Sequence, residues 1–126
     1  MTNTELLKNA RNLLLGLHKS LVDFERSIYE GMNGSTTGAQ FLNVLLEDPE
    51  FAWLRKFSTL IVDIDEMFAQ KDGFGDEAVA AHLTKLRELI AMEGENEAFV
   101  AKYELALQQD TSAASKQAEL KDLLSV

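Results

Sequence analysis

The chain has no cysteine, one proline and one tryptophan among its 126 residues. Without cysteine there are no disulfides, thiolate metal sites or cysteine nucleophiles, and the composition fits a reducing compartment. Basic residues are also scarce. Twelve Lys+Arg against 21 Asp+Glu give a formal charge of −9 at pH 7, which opposes the phosphate attraction behind most nucleic-acid and anionic-lipid binding. The pair Arg55-Lys56 alone is too little for a DNA-binding face. No apolar run approaches the roughly 20 residues that span a bilayer. The Leu13-Leu14-Leu15 run is followed by Gly16-Leu17, then His18 and Lys19, with no small-residue cleavage site of a secretory signal nearby. These absences make a cytoplasmic protein, with neither nucleic acid nor membrane as partner, the expectation.

What the sequence does contain is an ordinary globular balance, 46% hydrophobic and 26% charged, in a length suited to one domain. Its apolar residues recur at helical spacing. Thr2 and Glu5 form a capping-box pattern ahead of Leu6, Ala10, Leu13, Leu17, Leu21, Phe24 and Ile28, which predicts a long first helix to about Glu30. The polar, glycine-rich stretch from Gly31 to Gly38 reads as the longest irregular and most mobile segment. Thr37 with Gln40 repeats the box before Phe41, Leu42, Leu45 and Leu46, a short second helix.

Asp48-Pro49-Glu50 combines an N-cap acceptor, a φ-locked first residue and an acid at the positive end of the dipole, so a third helix is expected to start there. Its stripe of Trp53, Leu54, Phe57, Leu60, Ile61, Ile64, Met67 and Phe68 makes it the expected core partner of the first helix. Trp53 reads as core, with an indole N–H that needs an acceptor. Val62 falls opposite that stripe, as a solvated residue or part of a self-association face. After a break at Lys71 to Gly75, Asp76 is placed to cap a fourth helix bearing Val79, Leu83, Leu86, Leu89 and Ile90, ending by Gly94. Asn96 begins a fifth segment with Phe99, Val100, Tyr103 and Leu107 inward. Asp110 or Thr111 begins a last one with Ala114, Ala118, Leu120 and Leu124. No strand-like alternation occurs. The expectation is an all-α, single-domain bundle of four to five mostly antiparallel helices over residues 1–126.

The motifs of known chemistry are mostly missing. Di-iron bundles need Glu three residues before His, whereas Leu15 and Val79 stand there. Val22 and Leu86, four residues after the two histidines, offer no second ligand. Asp63-Ile64-Asp65 opens like an EF-hand, but Phe68 and Phe74 occupy the required glycine and bidentate glutamate positions. Neither a P-loop, a dinucleotide-binding turn nor a nucleophile elbow is present. No catalytic residue, metal set or cofactor is indicated.

One polar constellation stands out. Arg11, His18 and Glu25 recur every seven residues and share one line of the first helix, flanked by leucines and valine, at steps of about 10.5 Å. His82 lies within the apolar stripe of the fourth helix. If those helices are neighbours, His18, Glu25 and His82 with Arg11 form a candidate site for a small polar ligand or a metal. The competing reading, in which these groups satisfy one another or snorkel from a stripe's edge, is favoured because polar residues in bundles usually do so. Glu93, Glu95 and Glu97 read either as a lure for a basic partner or as solvated surface.

Two stretches, Leu15 to Arg26 and Asp48 to Lys56, resemble those of a group of small bacterial all-helical proteins with no known activity. The resemblance extends over most of the chain and stops before the last helix. It implies a bacterial helical protein and transfers no role to any residue. The sequence thus points to a non-enzymatic interaction or regulatory protein, including self-association as a homodimer through leftover apolar surface. Its rival is a small-ligand or metal-binding bundle, enzymatic or not.

Overall fold

The computed structural model describes all 126 residues and is all-α, as the periodicity implies. Six α-helices follow in order: α1 Asn3–Asn33, α2 Gly38–Glu47, α3 Arg55–Phe68, α4 Asp76–Ile90, α5 Glu97–Gln109 and α6 Thr111–Leu124. A 3-10 helix, Pro49–Leu54, joins α2 to α3.

The helix starts follow the expected caps. Thr2 accepts from the Glu5 amide, Thr37 and Gln40 complete a reciprocal capping box, and Asn96 and Asp110 accept from Phe99 and Ala113. At the fourth helix the expectation shifts by one residue: Gly75 is the cap, and Asp76 opens the helix with its charge near the dipole. The segment from Pro49 is wound as 3-10 rather than α for six residues. Asp48 caps its first amide, and the tighter turn carries Phe51, Trp53 and Leu54 into the core.

Half of the stretch expected to be the mobile loop is helix. α1 continues through Gly31 to Asn33 and stops at Gly34, whose φ of +88° is a left-handed conformation that favours glycine. The remaining turn is tied on both sides. The Glu30 carboxylate accepts from the Thr36 amide (2.5 Å) and hydroxyl (2.9 Å), and Arg26 donates to the Thr36 carbonyl (2.7 Å). Those hydrogen bonds to the ionised form hold the Glu30 carboxyl below the usual range.

One contiguous core of 25 buried apolar residues draws on every helix. The most extensive neighbour of α1 is α6, not α3. Small residues bring the two together: Gly16 faces the Lys116 stem, and the Ser20 and Ser112 hydroxyls meet at 2.9 Å. Apolar periodicity registers large residues and is blind to such contacts. Beside them, Trp53, Phe57, Phe99 and Tyr103 pack with ring centroids 5.2 to 6.1 Å apart. The Tyr103 hydroxyl donates to Gln117, whose amide donates to the Ile90 carbonyl (2.8 Å), so the buried polar groups form a closed relay. Burial pushes the Tyr103 hydroxyl pKa up, keeping it a neutral donor. The Trp53 indole N–H is the exception to the sequence expectation, for it is buried without an acceptor.

Candidate functional site

α2 differs from the other helices in what it hides. Phe41, Leu42, Val44, Leu45 and Leu46 are apolar, yet only Phe41 is buried, against Tyr29 and Phe51 at centroid distances of 5.7 Å. Val44 and Leu45 are half-buried, while Leu42 and Leu46 are 54% and 61% exposed. A helix apolar on more than one face is ordinarily covered on more than one face.

The uncovered side of α2 opens onto α1. Leu15, His18, Lys19, Val22 and Leu45 line a groove of about 560 Å³. It continues past His18, Val22 and Leu45 into a second hollow of about 200 Å³, closed by Leu42, Leu46, Phe51, Leu54, Arg55 and Ser58. Leu15 is itself 44% exposed. Exposed and half-buried leucines thus join into one largely aliphatic surface, with His18 shared by both hollows and Asn12, Lys19, Arg55 and Ser58 as its other polar members.

Arg55 fixes the α2 side of this surface. One guanidinium nitrogen donates to the Leu45 carbonyl (3.0 Å) and the Leu46 carbonyl (2.6 Å), two of the unsatisfied groups at the end of a helix with no basic residue in its last turn. His18 is half-buried among aliphatic side chains, and that desolvation lowers its pKa, so it is neutral near pH 7.

The other residues of the sequence constellation are not gathered here. Arg11 donates from Nε (2.8 Å) and a terminal nitrogen (2.7 Å) to both carboxylate oxygens of Asp65 on α3, a two-point pair that raises its pKa. Glu25 is half-buried near Lys102 and Glu50. Desolvation raises its pKa, Lys102 opposes that rise and Glu50 adds to it. His82 is half-exposed on α4, its Nδ1 buried without a partner. Although α4 does pack on α1, no α4 residue lines the groove that holds His18. No group of three His, Asp or Glu side chains is placed to hold a metal. The heptad line fails as a site because each step of about 10.5 Å is comparable to the width of a helix, so an element crossing the line covers one position at a time, and each step drifts by about 20°. Its three members therefore face α3, α2 and the Glu50–Lys102 corner in turn.

Of the acidic trio Glu93, Glu95 and Glu97 around the start of α5, Glu95 pairs with Lys56. That pair borders a polar cleft of about 400 Å³ between α3 and α4, whose charges are of both signs. No helix of the chain is long and apolar enough to cross a membrane. In comparisons with known proteins, no family, curated protein or solved structure matches the chain.

Proposed function

We propose that this is a non-enzymatic protein-interaction module whose recognition face is the groove between α1 and α2. The observation that carries the reading is α2 itself, which leaves Leu42 and Leu46 outward beside Leu15, Val22 and Leu45. Fully burying a leucine contributes about 1.5–3 kcal/mol, and with Leu15, Leu42 and Leu46 already about half covered a partner gains part of that at each one it covers. The setting in this reading is a bacterial cytoplasm, in keeping with the cysteine-free composition and the resemblance to small bacterial helical proteins.

A second reading rests on His18. A groove of about 560 Å³ in which Leu15, Val22 and Leu45 stand beside the polar groups of Asn12, His18 and Lys19 has the size and chemistry of a small-molecule site, which suits an amphiphile rather than a metal. Photo-crosslinking in living cells separates the two. With a photoreactive residue at position 42, the interaction reading expects an adduct of defined protein mass that Leu46→Lys abolishes and that does not form from position 121. An added mass of a few hundred daltons supports the amphiphile, and the absence of any adduct contradicts both.

A further inference from the structure

We infer that the groove is occupied by a second copy of this chain, in a two-fold pair where Leu42 and Leu46 of each copy seat on Leu15, Val22 and Leu45 of the other. The inference rests on the interaction reading and names its partner. Its first support is charge. The chain carries −9 overall, yet the sixteen residues from Gly31 to Leu46 include no charged side chain, the longest such stretch in the sequence. Leu42, Leu45 and Leu46 of that stretch line the groove, whose other lining residues include Lys19 and Arg55 and no carboxylate, so the acid–acid repulsion between two copies is least across this surface.

The second support is shape. A two-fold interface uses the same patch on both subunits, so that patch must supply both what protrudes and what receives. Here Leu42 and Leu46, more than half exposed, stand directly beside the hollow lined by Leu15, His18, Val22 and Leu45. The third is the rim. Lys19 borders the groove from α1 with its side chain 80% exposed, and its contact with Asp23 is a loose 4.0 Å. Glu47, exposed, ends α2. Opposite charges on the two helices that contribute to one self-facing patch complement each other twice when the patch is doubled.

Sedimentation of the full chain across the micromolar range tests this. The expected result is a concentration-dependent species of twice 14.1 kDa. Leu46→Lys and Leu42→Lys weaken it by at least about a hundredfold, since each puts a charge at the centre of the seam. Leu105→Lys, on α5, leaves it unchanged. Lys19→Glu weakens pairing by about tenfold, and adding Glu47→Lys restores it. Circular dichroism confirms that the variants stay helical, as substitutions at exposed positions should.

A dimer that neither leucine substitution disturbs overturns the inference, because its seam lies elsewhere. A monomer at every concentration also overturns it. The position-42 crosslink then tells which idea has failed: an adduct with a different protein preserves the interaction reading, whereas no adduct removes both.

Discussion

The two ends of this bundle solve the same problem differently. Around α5 and α6, aromatic rings and the Tyr103–Gln117–Ile90 relay close the core, with only the Trp53 indole N–H left unpaired and Leu105 left outward. Around α2, a helix richer in large apolar residues than either α5 or α6 buries one of them and is held at its end by a guanidinium from the next element. The more apolar helix is thus the one left open, so hydrophobicity alone does not decide which end is closed. What differs is the number of elements on hand to cover it: α6 lies along α1 and beside both α4 and α5, whereas the chief neighbour of α2 is the 3-10 helix.

The sharpest break in this contrast comes from the closed end. Phe57→Ala removes a fully buried ring and should cost about 3–5 kcal/mol, read as a lower midpoint in chemical denaturation. Truncation of Leu42 or Leu46 to Ala should cost about 1 kcal/mol or less in the dissociated chain, because more than half of each side chain is already in water. Equal costs at the two ends would erase the distinction. Next in size, Gln117→Leu strands the Tyr103 hydroxyl and the Ile90 carbonyl without a partner, and a loss of about 2–3 kcal/mol is expected in the same assay.

Arg55→Met sharpens the comparison from the other side. It removes the donor shared by two α2 carbonyls, at a cost of about 1–2 kcal/mol. Amide exchange should then speed up in α2 and stay unchanged in α5 and α6; uniform acceleration would mean that α2 is no separate unit.

The smallest effect is with pH. The folded-state pKa of His18 lies below its unfolded value, so acid protonates the unfolded chain first. Stability therefore falls as pH drops through the unfolded pKa near 6.5, and the loss is complete below the folded value. His18→Gln should flatten that part of the stability profile. Glu25 runs the opposite way: its raised carboxyl pKa lets the folded chain bind the extra proton, so stability is lost as pH rises through and above the usual carboxylate range. Glu25→Gln should stabilise the chain at neutral pH by less than about 1 kcal/mol, given its partial exposure.

The helices were legible in the sequence because their signals are local. Thr2, Thr37, Asp48, Asn96 and Asp110 all cap where hydrogen-bonding side chains and the following apolar rhythm place them. The groove was not legible, because periodicity tells which residues share a face and not whether another element covers it. Phe41 and Leu45 belong to one pattern with Leu42 and Leu46, and only packing separates the buried ring from the exposed leucines. A signal was available in the charge-free run from Gly31 to Leu46, whose significance depends on knowing which side of α2 is open. Arg11, His18 and Glu25 illustrate the opposite error. Their common line on α1 is real, but the neighbours crossing it differ at each step, so an alignment along one helix became three unrelated environments.

Hydrogen exchange measured at low and high protein concentration tests the central claim most directly, since it reads both association and its location. If the open end is completed by a second copy, amides of α2 and the facing turns of α1 exchange more slowly as concentration rises, while those of α5 and α6 do not change. Exchange in α2 that is independent of concentration, or protection that appears on α5 and α6 instead, would contradict it.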